Sequence, residues 1–388
     1  MASITSLKTK LKTKVKKLTV LFGSAAVMTL GMNASAMAAT MYDVTNLGNV
    51  GQFYFNYALG INDAGQVVGS SGINPNRAFL WNSSTGMTDL GTLPGGRDSY
   101  AYGINNAGQV VGSSDGQGFL WTSSTGMTAL GTSAANAINN AGQVVGGENR
   151  AFLWSSSTGS TDLGTLPGGS SSRASDINDN SQVVGTSSTS NGTSHAFLWN
   201  SSTGMTDLGT LPNKNSSSAS AINNAGQVVG NSGNSNGSQG SRAFLWSSST
   251  GMVDLGLPPG RFPASDNDSS YANDINDLGQ VVGSSDSTFN GRRAFLWSSS
   301  NGMVDLNTLI DPGIRLDTAT AINNKGQIVG YSRAGSYDYR AYLLTPKSST
   351  PVPEPLTTGG SILAGAGLVY LRRRYGRLYR SQNKPLQE

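Results

Sequence analysis

The chain has 388 residues, no Cys and one His, and only 12% of it is charged, so disulfides, thiolate chemistry and Cys-ligated metals are excluded. The formal charge of +4 sits at the ends: residues 1–38 hold six Lys and no acid, and residues 347–388 hold seven Lys or Arg against two Glu. Taking these from the 26 basic and 22 acidic residues leaves 13 and 20 over 39–346, a balance of −7, which lacks the basic face of a nucleic-acid binder.

The chain opens with a basic segment (1–17), an apolar run (18–32) and small residues around Ala36-Met37-Ala38. This is the layout of a secretory signal peptide over 1–38, cut after Ala38; the alternative is an uncleaved anchor, for which the run is short.

Next comes Tyr42-Asp43-Val44-Thr45-Asn46-Leu47-Gly48, a strand-like segment that stands alone. Behind it one unit recurs seven times, marked by Gln66, Gln109, Gln143, Gln182, Gln227, Gln280 and Gln327 at spacings of 34 to 53 residues. Each unit predicts four short strands. The first ends in Ile-Asn, with an Ala three residues before the Ile (Ala58, Ala101, Ala135, Ala174, Ala219, Ala272, Ala319). The second is Gln-Val-Val-Gly or Gln-Ile-Val-Gly. The third is Arg-Ala-Phe-Leu-Trp, as at Arg77–Trp81, with Gly118 or His195 in place of the Arg in single units. The fourth is Thr-Asp-Leu-Gly-like, as at Thr88–Leu93. An Asn-Asn/Asp-x-Gly turn joins strands one and two, where Gly supplies φ > 0, and a Ser-Ser-Thr-Gly-Met-like turn joins strands three and four.

Four strands per unit of roughly 40 residues predict an all-β fold, a seven-bladed β-propeller. The seventh unit stops at Arg340–Pro346 without a fourth strand, and the lone segment at 42–48 is the strand that closes the ring. A β-solenoid is the alternative; it has no need of a strand borrowed from the other end. The Trp of each unit (Trp81, Trp121, Trp154, Trp199, Trp246, Trp297, with Leu344 in the seventh place) is read as blade core. The organisation is then a signal peptide (1–38), a propeller (39–346), a linker (347–355), an apolar segment (356–371) and a basic tail (372–388).

Pro353-Glu354-Pro355, the apolar stretch Leu356–Leu371 and Arg372-Arg373-Arg374 stand in that order. They resemble the PEP-CTERM sorting signal handled by exosortases. A plain transmembrane anchor is the alternative, with the Arg cluster holding its end on the cytoplasmic side. The strand-three segments and the Ile-Asn-x-x-Gly-Gln-Val-Val-Gly hairpin resemble the HAF repeat of extracellular proteins; only His195-Ala196-Phe197 keeps the His, and five units carry Arg. The resemblances imply a secreted or cell-surface bacterial protein. Its partners would be the export machinery and an exosortase-like processing enzyme, with transient membrane contact through the C-terminal segment and association with extracellular polysaccharide. They supply no catalytic residues.

The loops after strands two and four vary in length, whereas the other turns are nearly constant, which marks one face for binding. Aromatic and charged residues placed there are Phe53, Tyr54, Arg97, Tyr100, Arg261, Phe262, Phe289, Tyr337 and Tyr339, suited to stacking on sugars. No phosphate loop or nucleophile elbow is present, and one His builds no His-rich zinc site. No cofactor and no metal is expected. Asp266, Asn267, Asp268, Asp274 and Asp277 offer oxygen ligands without EF-hand spacing. Asp176 and Asp274, each directly before the inner-strand Ile, are the candidates for axial acid–base chemistry in a glycosidase or lyase. The favoured expectation is a non-enzymatic surface or matrix protein that binds polysaccharide or a surface partner; a carbohydrate-active enzyme and a passive scaffold are the alternatives.

Overall fold

A computed structural model describes residues 42–49, 55–237, 239–259, 267–287, 291–335 and 338–347. They form seven antiparallel four-stranded sheets, a seven-bladed β-propeller, and no solenoid. Blade one is Asn56–Ile61, Val67–Ser71, Arg77–Asn82 and Gly86–Asp89, from the axis outward, and blades two to six repeat that order. Blade seven is Thr318–Ile322, Ile328–Gly335 and Asp338–Pro346, completed by Tyr42–Asn46. The borrowed strand pairs Tyr42 with Pro346, Val44 with Leu344 and Asn46 with Tyr342. Leu47 N–H then donates to Ala341 O at 3.0 Å, the bond that Leu90 makes to Ala78 and Leu208 to Ala196 in complete blades. The first and last strands of the domain thus share one sheet, which removes the exposed edge.

The Val-Val dipeptide explains how blades stack. Both residues are fully buried in every blade because the second strand is covered on both faces. Successive side chains of a strand point to opposite faces. Val67 therefore packs with Val329, Ala321 and Leu343 of blade seven, while Val68 packs with Ala101, Val110 and Phe119 of blade two. Phe79 and Trp81 join the first of these cores, and Ala78 and Leu80 the second. Seven such cores run round the ring. Phe, rather than Trp, is their centre: Phe79, Phe119, Phe197, Phe244 and Phe295 are fully buried, whereas every Trp except Trp81 is only half-buried. Burying one such Phe is worth about 1.5–3 kcal/mol.

The Gly that closes each Gln-Val-Val-Gly is set by a bulge. The inner strand slips register between Ala58 and Gly60, and likewise in the other blades, so its backbone crowds the second strand. A Cβ at Gly69 would lie 1.8 Å from Tyr57 O, and one at Gly230 would lie 2.0 Å from Ser218 O. At the hairpin turn, Gly65 and its counterparts take φ near +75°; in blade four Ser181 holds that position at +58°.

The Asn after each Ile does more than shape its turn. Asn62 Oδ1 accepts the Gln66 and Ala64 N–H groups at 3.0 and 3.1 Å, and its Nδ2 donates to Gln66 Oε1 at 2.8 Å. The same Nδ2 also donates to Asn105 O of the next blade at 3.0 Å. Asn105, Asn139, Asn178, Asn223, Asn276 and Asn323 continue this to the next blade in turn, and Asn323 closes on Asn62 O at 2.9 Å. All seven side chains are buried with donors and acceptors met. A second ring lies one residue on: Asp63, Asn106, Asn140, Asp179, Asn224, Asp277 and Asn324 each donate the backbone N–H to the next side chain's Oδ1, again round to the start. Two closed belts of hydrogen bonds therefore bind the blades on the hairpin face.

In three blades the strand-three Arg or His has a cross-strand acidic partner, whereas Arg340 pairs with Asp338 of its own strand. Arg150 pairs with Asp162 and Arg293 with Asp305, each at 3.5 Å, and His195 Nδ1 stands 2.8 Å from Asp207. His195 is thus half-buried in a pair rather than simply exposed.

Candidate functional site

Two places gather functional groups: the axial channel, and a cleft on the variable face where blades six, seven and one meet. The channel is lined by the seven inner strands, with an opening of about 180 Å³ inside the two belts and about 240 Å³ above it. At the Ile of each inner strand the antiparallel ladder leaves the N–H pointing away from the blade, toward the axis. Asp176 Oδ1 accepts the Ile177 N–H at 2.8 Å and Oδ2 accepts the Ile222 N–H of blade five at 2.9 Å. Asp274 does the same for Ile275 and for Ile322 of blade seven, both at 2.8 Å. Each carboxylate thus clips two adjacent blades. Burial in the channel wall raises Asp176 to about 6, against the two N–H donors that favour its charged form. Burial, and next the charge of Asp176, raise Asp274 to about 7. Both side chains are half-buried in the channel wall. Both oxygens of each are engaged in holding blades together, a duty that their position in the sequence did not reveal.

Among the described residues no three Asp, Glu or His converge as a metal site. Asp274 lies in the channel and Asp277 in the outer belt, so the acids of that region are not brought together; Asp266 lies outside the described residues.

The cleft is built from departures from the repeat. The residue after Gly-Gln-Val-Val-Gly is Ser, Gly, Thr or Asn in six units but Tyr331 in the seventh. The residue before the inner-strand Ala is Tyr in three blades, Tyr57 in blade one, Tyr100 in blade two and Tyr271 in blade six, of which the first and third face the cleft region. Two residues before that Ala, four blades carry a Ser that ties their neighbour down. Ser99 Oγ, for example, accepts the Ala78 N–H at 2.9 Å and donates to Gly91 O at 2.6 Å. Blade seven has Asp317 instead. Its Oδ1 stands 2.8 Å from Arg315 Nε and its Oδ2 accepts the Arg333 N–H at 2.7 Å.

The rings of Tyr57, Tyr331 and Tyr339 come together: Tyr57 meets Tyr331 edge-on at 5.0 Å and Tyr339 at 5.1 Å, and Phe55 stands 5.3 Å from Tyr339. The Arg333 guanidinium lies 5.9 Å from the centre of the Tyr339 ring. Burial, followed by the neighbouring Tyr339 and Tyr331 hydroxyls, pushes Tyr57 up to about 12, so it stays a neutral donor. Arg292 is held by Asp286 through Nε and Nη2 at 2.8 and 3.0 Å, and that pair raises its pKa. Arg315 Nη2 donates to Arg292 O at 2.9 Å. A space of about 350 Å³ opens between Arg292, Arg315, Asp317, Tyr331, Arg333 and Tyr339. A second, about 450 Å³, shares Arg292 and Tyr331 and reaches Tyr271, Asn231 and Asn273.

Of the residues expected on this face, Tyr339 falls in the cluster. Tyr100 stacks on Tyr102 at 6.3 Å, accepts a hydrogen bond from Asn76 Nδ2, and joins blade two rather than the cleft. Arg97 is exposed and its Nη2 bonds Asn74 Oδ1. Phe53, Tyr54, Arg261, Phe262, Phe289 and Tyr337 lie outside the described residues, as do Ala38, Pro353, Glu354, Pro355 and Arg372–Arg374. Among the described residues no helix is long and apolar enough to cross a membrane. Sequence reasoning missed Phe55, Tyr57, Tyr271, Tyr331, Arg292, Arg315 and Arg333. Tyr331 carried a signal, as the one aromatic at a small-residue position of the repeat.

A family described as a protein of unknown function (DUF3466) matches residues 205–314. No curated protein matches the chain. Solved structures that resemble it include a putative TolB from Agrobacterium tumefaciens, at 12% identity and a TM-score of 0.44, covering 71% of this chain and 100% of that one. A putative gluconolactonase is similar at 9% identity and a TM-score of 0.35, covering 81% and 97%. AofleA from Arthrobotrys oligospora is similar at 9% identity and a TM-score of 0.37, covering 79% and 86%.

Proposed function

We propose that the propeller is a non-enzymatic binding module that acts outside the cytoplasm of a bacterium, at its surface or in its matrix, and holds polysaccharide in the cleft of blades six, seven and one. The observation that carries this reading is the cluster of Tyr57, Tyr331 and Tyr339, half-buried rings bordering an open cleft on the face whose loops vary. Aromatic rings with adjacent hydroxyl and amide groups suit the C–H faces and hydroxyls of sugars. Export rests on the signal-like segment at 1–38 and the Pro353–Arg374 segment. Asp176 and Asp274 have their oxygens bound to backbone N–H groups, which favours a structural use over axial hydrolysis.

The test is saturable binding of the purified chain to native extracellular polymer and to a glycan array. Loss of binding on Tyr331→Ala or Tyr339→Ala, with folding intact, is the expected result. Binding unchanged in both variants sinks the cleft, and binding to no envelope polymer moves the search to a protein partner or to a passive scaffold.

A further inference from the structure

The charge of the cleft opposes the charge of the molecule. Residues 39–346 carry a balance of −7, yet three of their 13 basic residues, Arg292, Arg315 and Arg333, line one space with Asp317, and Asp286 pairs with Arg292 beside it, so three positive charges meet two negative ones. An excess of one sign of charge in a cleft focuses its field and raises the local concentration of opposite charge. We infer that this cleft selects acidic sugar rings, the carboxylate-bearing residues of a uronate polysaccharide; the inference rests on the polysaccharide reading and narrows it.

The arginines are held by partners within the protein. Arg292 spends two of its five donors on Asp286, and its side chain remains 48% exposed. Arg315 is held by Asp317 and by Arg292 O, and its side chain is 53% exposed. Arg333 is stationed against the Tyr339 ring. Guanidinium groups fixed in this way lose little freedom on binding, and their remaining donors match the two oxygens of a planar carboxylate. The same residues supply the stacking surface, because Tyr331 and Tyr339 line the space with the arginines. The adjoining space of about 450 Å³ has Arg292 as its one charge and otherwise mixes Tyr271 and Leu59 with Asn231, Asn273, Ser284 and Thr320. One subsite thus reads the carboxylate, and the next accepts a neighbouring ring through stacking and amide contacts.

The experiment is calorimetric titration of the full chain with oligomers of galacturonate, glucuronate, mannuronate and guluronate, each beside its carboxyl-reduced counterpart, in which the carboxylate has become CH₂OH. The expected result is at least about tenfold tighter binding of one or more acidic oligomers at low salt, with the gap closing at high salt as the pair is screened. Arg333→Gln and Arg292→Gln should each weaken the acidic ligand about fivefold and leave the reduced one unchanged, with melting temperatures confirming that both variants fold. Equal affinity for acidic and reduced oligomers, lost together on Tyr331→Ala, overturns the inference and leaves the polysaccharide reading standing. Binding of neither kind overturns both.

Discussion

The two faces of the propeller use their residues in opposite ways. On the hairpin face every blade offers the same Asn amide to the next blade, and the two belts close through all seven. On the other face blades two, four, five and six still carry the tying Ser, whereas blade seven has Asp317 and blade one has Asn56. The aromatic rings and arginines collect at this break. Repetition in such a chain marks the bonds that one blade owes to the next. Where a blade departs from the pattern, its side chains make other contacts, and in the reading proposed above these form the ligand cleft.

The contrast is broken most forcefully at the bulge. Gly185→Ala would put a Cβ 2.0 Å from Arg173 O, a backbone atom of the inner strand that is paired in register with Gly185's own strand. A loss of more than about 4 kcal/mol is expected, seen as failure to give a cooperative melt. Melting like the wild type would mean that the bulge relaxes and that this Gly is not forced. Next in size is Asn178→Ala. It removes donors to Gln182 Oε1 and Asn223 O and acceptors for the Asn180 and Gln182 N–H groups, all at a buried site. A cost of about 2–4 kcal/mol in chemical denaturation is expected, with glycan affinity of the folded fraction unchanged. A change in affinity would show that the belt and the cleft are coupled.

Tyr331→Ser is the converse, because it installs the residue that blades one, two and six have at that position. Stability should move by no more than about 1 kcal/mol, since Tyr331 is half-buried and rests on other rings rather than in a blade core. Binding should fall at least about tenfold. If stability falls and binding holds, Tyr331 belongs to the packing and the faces do not divide the work.

The ring and its closure were legible because they rest on local rules: alternation within four or five residues, Gly at φ > 0, and a strand missing from one end and spare at the other. The Val-Val stacking, which the structure adds, obeys the same period of two. What escaped needed the third dimension. Nothing in Asn62-x-x-x-Gln66 tells that the amide also reaches a carbonyl 43 residues away. Tyr57 and Tyr331 meet only because the ring closes, and 274 positions part them in the chain. Trp drew attention by its size, but the register puts Phe at the centre of six of the seven cores and leaves every Trp except Trp81 at a rim. Asp176 and Asp274 read as chemistry because acids are unusual at an axis; the N–H groups they cap belong to backbone, which a sequence does not display.

Those two carboxyls give the smallest of the expected effects, a slope with pH. Both are raised above the ordinary carboxylate value of 3.8, to about 6 and about 7, with burial as the first cause. Between about pH 4 and pH 7 the folded protein therefore holds protons that the unfolded chain has released. Stability falls with pH wherever the native state binds more protons. The contribution is present in full below the unfolded value and is lost as pH rises through the folded ones. Asp274→Ala, which installs the residue found at this position in blades three, five and seven, removes one such group and its repulsion with Asp176. Across that window the wild-type melting temperature should drop relative to that of the variant, the difference levelling off above about pH 7. A difference that stays flat, or grows in the wild type's favour, would mean that the N–H donors of Ile275 and Ile322 outweigh burial and keep Asp274 charged. The axial clips would then act as anions at every pH at which the propeller is folded, and the channel would be a more polar place than its enclosure implies.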